Sequence, residues 1–421
     1  MNPSRSERLQ LIDALRGFAL FGILLVNIQS YTWGAGNPLG YFERPPGAAE
    51  AALFYALALL VAGKFYAIFA LLFGVGFTLQ TRRMRVLVGG SQRLATGLYL
   101  RRLIFLLGAG LLHGALLYFG DILATYALCA LFLVPLAWAR TRTLVRGAQV
   151  AWALAAVLLV FWTALDSVGD AAATTGEIPA DIVASHALYV AGSYGEQLRQ
   201  RLTDALLQTL GGAVLTWPQV IALMLTGAVA GRLGWLRYPE RHALLWRRAG
   251  TLGLFVGLPL SAIGAALHLQ TIETAPDAAF GLDQLFLGAS VLLSFGYIAA
   301  AVRWHRTAAG RRVAGWLAPA GRMPLTLYLA QSLAMAVLLC GWGVGLGADA
   351  SRIELTLLAV AIYGVELLVA ALLARRFASG PAEWLWRRYT YGRLCDRLRD
   401  GSRDGVPDQR PASSTFNQSP R

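Results

Sequence analysis

Ten long apolar stretches recur along the chain, and they constrain its fold more than any other feature of the sequence. An α-helix of about 20 apolar residues crosses the hydrocarbon core of a bilayer. Because backbone polar groups in lipid must be satisfied within the segment, the stretches predict an all-α integral membrane protein with about ten transmembrane helices. They lie at 15–31, 64–80, 103–119, 122–138, 144–165, 211–231, 250–269, 281–302, 324–346 and 353–374.

The composition agrees with this class and excludes others. The chain is 57% hydrophobic and 14% charged, whereas soluble domains carry about 25% charged residues, so a soluble enzyme is excluded. The net charge of +14 does not indicate nucleic-acid binding, because the sequence has no basic recognition module with interleaved aromatic residues. Three scattered cysteines predict neither a disulfide framework nor a metal site. Without a phosphate loop or nucleophile elbow, we predict no metal and no resident cofactor.

The arginines predict the orientation. When both termini are placed in the cytoplasm, nearly all arginines fall in cytoplasmic loops or the C-terminal tail, as the positive-inside rule requires. Arg93 and Arg140 then lie inside, and Asp170 and Asp277 lie outside. We therefore predict a multi-pass membrane protein with both termini in the cytoplasm.

The domain organisation is simple. Residues 1–399 are predicted to form a single polytopic membrane domain, and 400–421 a disordered cytoplasmic tail rich in Ser, Pro, Asp and Arg. The outer loop 166–210 contains leucines at a spacing of four from Leu198 to Leu210. This spacing predicts an amphipathic helix on or over the membrane.

His113 is the first candidate for chemistry. It is the one acidic or basic side chain between Arg102 and Asp121. A rise of about 1.5 Å per residue places it about 16 Å from the arginine end, near the middle of the bilayer. An ionisable group at this depth indicates a functional site, although a neutral imidazole can also simply hydrogen-bond a neighbouring helix. Asp121 follows Gly120 at the turn of a tight helical hairpin.

Other polar side chains lie at related depths. Asn27 follows Arg16 by eleven residues and therefore lies at about the depth of His113. The amide and the imidazole could hydrogen-bond directly or flank one substrate. Arg16, Arg101 and Arg102 lie at the cytoplasmic ends of their spans, where guanidinium groups could hold donor phosphates.

Three further residues have two interpretations each. Lys64 is the sole lysine of the chain, and it either supplies a compact ammonium with a specific role or extends to the membrane surface. Gln331 and Glu366 lie within apolar spans. They contact a substrate or link neighbouring helices.

Several motifs extend from the first span to the end of the last. They are Asp13-x-x-Arg16-Gly with Asn27, Gly63-Lys-Phe-Tyr-x-x-Phe-x-x-Leu-Phe-Gly74-x-Gly76, His113 with Gly120-Asp-Ile-Leu, Gly321-Arg-Met-x-Leu-Thr-x-Tyr-x-x-Gln331-Ser, and Gly380-Pro-x-Glu-Trp-Leu-Trp-Arg. In these motifs the sequence resembles the YeiB-type family of bacterial integral membrane proteins of unknown function. That family is in turn distantly similar to the transmembrane acyltransferases, including the heparan-α-glucosaminide N-acetyltransferase group and the bacterial O-acyltransferases of surface sugars.

The resemblance implies a location in the bacterial cytoplasmic (inner) membrane, and it also implies an activity. It implies transfer of an acyl group from a cytoplasmic or lipid donor, such as acyl-CoA or an acyl-lipid, to a glycan, lipid or small-molecule acceptor. The O-acyltransferases carry a histidine where this chain has Asn27. The glucosaminide group has asparagine there and a histidine elsewhere, which leaves His113 as the candidate in this chain.

We therefore interpret His113, Asn27 and Asp121 as catalytic. The residues predicted to bind donor or substrate are Arg16, Lys64, Arg101, Arg102, Gln331 and Glu366. One alternative is a transporter or permease in which Lys64, His113 and Glu366 form a proton or anion pathway. Another is a non-catalytic subunit of a membrane assembly. The bilayer is the expected partner, and the sequence leaves the oligomeric state open.

Overall fold

The computed structural model describes residues 5–35, 47–169, 180–274, 280–377 and 379–392, so the predicted tail at 400–421 lies outside the described residues. Within these ranges the regular elements are helices. They are α1 (Arg5–Ser30), α2 (Ala48–Leu60), α3 (Phe65–Leu87), α4 (Gln92–Leu116), α5 (Leu123–Leu131), α6 (Thr141–Gly169), α7 (Ala180–Ala191), α8 (Tyr194–Leu215), α9 (Trp217–Leu233), α10 (Ala243–Leu252), α11 (Leu258–Thr274), α12 (Phe280–Trp304), α13 (Ala308–Arg322), α14 (Pro324–Leu339), α15 (Arg352–Arg376) and α16 (Pro381–Tyr391).

Several helices are long and apolar enough to cross a membrane, which confirms the all-α, multi-pass class. In the described part of the chain there are six such segments, or up to eight if each of two bent helix pairs counts as one span. The pairs are α8 with α9, bent by 65°, and α13 with α14, bent by 81°. The predicted count of ten and the orientation of the termini are not confirmed.

The fourth predicted span, 122–138, is not one continuous helix. Helix α5 ends at Leu131 and is followed by a short 3₁₀ turn over Val134–Leu136. The nine residues of α5 rise only about 13 Å. Pro135 lies within the turn and lacks the N–H that would continue the helix. This segment is therefore too short to cross the bilayer as a single α-helix.

Glycines allow two helix pairs to pack with their backbones in contact. A Cβ at Gly74 of α3 would collide with the carbonyl oxygen of Met224 in α9, and one at Gly227 would collide with that of Leu71. Gly321 of α13 packs in the same way against the backbone of Asp13 in α1. Small residues at such contacts are typical of helix association in membranes. These contacts fix α1 and α3, which line the site described below.

Helix α8, which falls largely within the predicted amphipathic loop, has its polar side buried. Gln197, Arg201 and Asp204 are at most 4% exposed, whereas Leu206 and Leu210 are about 60% exposed. The leucine stripe therefore faces away from the protein, which is the arrangement expected of a helix in contact with lipid.

Candidate functional site

His113 and Asp121 form a buried hydrogen-bonded pair. Nδ1 of His113 lies 2.8 Å from Oδ1 of Asp121, with side-chain exposures of 1% and 6%. The other carboxylate oxygen accepts a hydrogen bond of 2.6 Å from the backbone N–H of Ala124 and so caps the start of α5. Gly110 lies against this turn, where a Cβ would collide with Ala124 and Asp121. The hairpin between α4 and α5 therefore positions the pair.

The position of His113 differs from the predicted one in one respect. Helix α4 ends at Leu116, so His113 lies in the last turn of this helix and not near its middle. The apolar residues from Leu117 to Gly120 form the turn of the hairpin. An apolar run measures how much chain is shielded from water and cannot show where the helix within it ends.

Tyrosine hydroxyls and Arg201 satisfy the carbonyl groups at the end of α4. Tyr31 donates to the Leu117 carbonyl at 2.5 Å and Tyr194 to the Leu116 carbonyl at 3.1 Å. Arg201 also donates to the Leu116 carbonyl. Because the last carbonyls of a helix have no partner within the helix, and a cation there complements the helix dipole, these contacts hold the turn that carries His113.

Two cavities meet near the pair. The first, which we call the Asp121 cavity, has a volume of about 260 Å³ and is lined by Asp121, Asn27, Gln208 and Trp217 among others. The second, the arginine cavity, has a volume of about 80 Å³. Its polar lining consists of Arg16, Gln80, Tyr99, Arg102, Tyr126, Tyr328 and Trp386, and the remainder is mainly apolar.

The two cavities share a wall. Ile23, Ile122 and Tyr328 line both of them. The Tyr328 ring lies 4.9 Å from the His113 ring, and its hydroxyl accepts a hydrogen bond of 3.4 Å from the N–H of Ile122. His113 lines neither cavity. The structure therefore presents the pair to the Asp121 cavity through the carboxylate and not through the imidazole.

Asn27 is brought to the same cavity as Asp121 but is not bonded to His113. The Nδ1 atom of His113 is engaged by Asp121, and in the described part of the protein its buried Nε2 atom has no hydrogen-bond partner. Of the two arrangements that the sequence left open for Asn27, the structure excludes the direct hydrogen bond. Asn27 and His113 can still act on one substrate if Asp121 contacts that substrate and His113 acts through its hydrogen bond to Asp121.

Arg16 and Arg102 lie together on the arginine cavity. Arg16 forms an ion pair with Asp13 at 3.0 Å. The Arg102 guanidinium carbon lies 3.3 Å from the centre of the Trp386 ring. Arg101, the neighbouring residue in the sequence, is exposed and does not line the cavity.

The remaining predicted residues lie outside both cavities. Lys64 is buried in the break between α2 and α3, and its ammonium donates to the carbonyl of Ala58 at 2.7 Å. Gln331 donates to Glu366 at 2.7 Å and so joins α14 to α15. Each of these side chains has a partner of its own, and the structure does not bring the three together.

Sequence reasoning missed two residues that shape the site, Tyr328 and Trp386. Tyr328 forms part of the shared wall, and Trp386 covers Arg102. Both lie in the quoted motifs, which was the available signal. Alone, each is typical of an apolar span or a membrane interface.

The comparisons with known proteins agree with the motifs. Residues 230–393 match the family described as "Protein of unknown function (DUF418)". The chain is 28% identical over 412 residues to the uncharacterized protein YxaH of Bacillus subtilis, covering 92% of this chain and 95% of YxaH. It is 28% identical over 394 residues to the uncharacterized protein YeiB of Escherichia coli, covering 91% and 96%. The resemblance to the YeiB-type family is confirmed. No solved structure gives a significant match.

One YeiB-type motif, Gly380-Pro-x-Glu, has a clear structural role in this chain. The Glu383 carboxylate accepts hydrogen bonds from the N–H groups of Leu325 and Thr326 at 2.6 and 3.1 Å. These are free donors at the start of α14, where a negative charge also complements the helix dipole. Glu383 thereby fastens α16, and with it Trp386, beside the arginine cavity.

Proposed function

We propose that this protein is a membrane-bound acyltransferase, which moves an acyl group from an acyl-CoA or acyl-lipid donor to a hydroxyl group of an acceptor. The observation that carries the proposal is the shared wall of Ile23, Ile122 and Tyr328. On one side of it lie the guanidinium groups of Arg16 and Arg102, and on the other lies a hydrogen-bonded carboxylate. A donor and an acceptor held on opposite sides would meet at this wall.

The arginine cavity offers a site for the phosphate end of the donor. At about 80 Å³ it is below the usual range of about 300–1,000 Å³ for ligand sites, so binding of the whole donor requires the cavity to widen. Guanidinium groups form strong, charge-assisted hydrogen bonds with phosphate, and acyl-CoA and many acyl-lipids carry phosphate groups. Beyond Arg16 and Arg102 the lining becomes apolar, with Leu20, Phe73 and Leu106 among its residues. In this arrangement the phosphates remain at the arginines and the acyl group points toward the shared wall.

Asp121 is the proton acceptor in this proposal. As the acceptor hydroxyl attacks the donor carbonyl, its O–H bond breaks, a new O–C bond forms and the proton passes to the Asp121 carboxylate. The bond between the acyl carbon and the donor sulfur or oxygen then breaks, and the proton passes from Asp121 to this leaving group. The Asn27 amide stabilises the negative oxygen of the intermediate, a contribution typically of about 10²–10³ in rate.

His113 holds the Asp121 carboxylate in position through their hydrogen bond. It also shares the proton that Asp121 takes from the acceptor hydroxyl. Its Nδ1 atom lies 2.8 Å from Asp121, and in the low dielectric of a buried site such a bond has a strong effect on the partner group. The proposal therefore assigns Asp121 the direct contact with the acceptor, and His113 acts through it.

The predicted topology would give the reaction a direction. With the N-terminus in the cytoplasm, as the arginine distribution predicts, Arg16 and Arg102 face the cytoplasm. The Asp121 cavity then faces the opposite side of the bacterial cytoplasmic membrane. An acceptor such as a glycan, a lipid or a small molecule would enter from that side.

Acyl transfer can be measured with the purified protein in liposomes, radiolabelled acetyl-CoA or acyl-phospholipid, and a bacterial membrane extract as the source of acceptor. We expect labelled product from the wild type and from Asp349→Asn, which changes an exposed carboxylate. Asp121→Asn keeps an oxygen for the Ala124 N–H but loses the proton acceptor, so no product is expected. Product formation by Asp121→Asn at the wild-type rate would contradict the proposal, as would a wild type inactive with both donors.

The two adjoining cavities also favour a second candidate function, which is transport. Opening of the shared wall would join the cavities into one path for a small anion. The predicted pathway through Lys64, His113 and Glu366 is less well supported, because each of these residues bonds to a different partner. Anion or proton flux into proteoliposomes without chemical change of the solute would favour transport.

A further inference from the structure

An apolar groove lies between α1, α12 and α13, and it shares no lining residue with either cavity of the candidate site. Its volume is about 480 Å³, and its lining includes Leu11, Phe18, Trp304, Val313 and Leu317. This volume lies within the range of about 300–1,000 Å³ that is usual for sites of small ligands. The groove is large enough for part of a lipid acyl chain.

One end of the groove is strongly basic. Arg303 and Arg311 are exposed, and each is next in sequence to a lining residue, Trp304 or Gly310. The chain from 284 to 348 contains no aspartate or glutamate. Helix α1 carries the acids Glu7 and Asp13 against three arginines, and Asp13 is engaged by Arg16 at 3.0 Å. The excess positive charge at this end therefore suits an anion.

Tryptophans mark the same end as a membrane interface. Trp304 is 49% exposed and Trp316 of α13 is 71% exposed. Exposed tryptophan beside arginine is typical of the depth at which lipid headgroups lie. Phe18, which follows Arg16 along α1 and lines the groove, then lies at the depth of the acyl chains.

We infer that this groove binds a phospholipid with an anionic headgroup. One acyl chain occupies the groove between α1, α12 and α13, and the headgroup phosphate lies among the arginines that surround Trp304. Basic pockets between transmembrane helices are known to select acidic headgroups in this way. The inference is independent of the proposed reaction, because it uses neither cavity of the candidate site.

The lipid would also stabilise the packing of α1. Gly17 of α1 packs against the backbone of Leu317, and Leu317 lines the groove. An acyl chain in the groove would cover this contact from the lipid side. We therefore expect the bound lipid to stay on the protein when bulk lipid is removed.

Native mass spectrometry of the full chain in detergent tests the inference. The probes are phosphatidylglycerol and phosphatidylcholine with identical acyl chains. We expect one retained phosphatidylglycerol per protein, bound about tenfold or more tightly than phosphatidylcholine, as two arginines near the headgroup imply. Ala300→Trp fills the groove from an exposed position and should abolish retention. Its matched control is Ala156→Trp at an exposed alanine of α6.

A second pair of variants tests the headgroup. Arg303→Gln with Arg311→Gln should reduce binding of phosphatidylglycerol to the level of phosphatidylcholine. Arg142→Gln with Arg146→Gln, at two exposed arginines of α6, should leave the preference unchanged. Equal retention of both lipids by the wild type would overturn the inference. So would undiminished retention by Ala300→Trp in a sample whose unfolding temperature equals that of the control.

Discussion

The Nε1 atom of Trp386 donates a hydrogen bond of 3.0 Å to the carbonyl oxygen of Arg102, and the same indole ring lies 3.3 Å from the Arg102 guanidinium carbon. One side chain on α16 therefore contacts both the backbone and the side chain of one residue on α4. Because Glu383 attaches α16 to the start of α14, the arginine cavity is closed by a helix that is held at two points.

Replacement of Trp386 should loosen this closure. Trp386→Phe removes the hydrogen bond and weakens the cation–π contact, and the two effects together should lower the free energy of unfolding by about 1–2 kcal/mol. Trp384→Phe is the control, because Trp384 is 62% exposed and its replacement should change stability by less than about 0.5 kcal/mol. Thermal unfolding in detergent measures the change in stability of both variants. Equal effects of the two variants would mean that the contact with Arg102 does not stabilise the protein.

The close packing of α3 and α9 gives a second prediction. Gly74→Ala places a methyl group against the Met224 carbonyl, and overpacking of this kind typically costs about 1–3 kcal/mol. Gly364→Ala in α15 meets no atom within 4 Å. There the alanine should stabilise the helix by up to about 1 kcal/mol. Opposite shifts of the unfolding temperature are expected, and a neutral Gly74→Ala would show that the two helices can move apart freely.

The buried polar side of α8 gives a third prediction. Arg201 is 1% exposed and bonds to Gln197 at 3.0 Å as well as to the Leu116 carbonyl. Arg201→Met leaves these acceptors with fewer donors, and the loss should be about 1–3 kcal/mol. Arg199→Met changes an exposed arginine of the same helix and should be nearly neutral. If both variants unfold at the wild-type temperature, Arg201 does not hold the end of α4.

The sequence could predict the helices better than their ends. Apolar stretches identify the segments of the chain that are shielded from water. For this reason all ten predicted spans fall on or overlap helices of the structure. The same signal says nothing about the break before Lys64, which is made by Gly63 at a φ of +77°, a conformation that favours glycine. It also did not show that the leucines of α8 face away from the protein, because periodicity defines two opposite faces without assigning the buried one.

For the candidate site, the sequence could supply residue types but no distances. Asp121 and His113 were both predicted, yet their direct contact depends on the hairpin turn that follows Leu116. Tyr328 was not selected, because a tyrosine in an apolar span is usually part of the packing. Its position on the wall between two cavities depends on how α14 is placed relative to α1 and α5, which no local pattern determines.

The fourth prediction concerns the roles of His113 and Asn27. His113→Ala leaves the Asp121 carboxylate with the Ala124 N–H but without the imidazole, which typically costs about 1–3 kcal/mol, so both stability and acyl transfer should fall. His113→Asn can still donate a hydrogen bond to Asp121 and should recover much of the stability without the activity. Asn27→Ala should unfold at the wild-type temperature but transfer the acyl group about 10²–10³ more slowly. Measurement of unfolding and turnover on the same samples separates the two effects. Wild-type turnover by His113→Ala would leave the histidine as a packing residue and remove it from the mechanism.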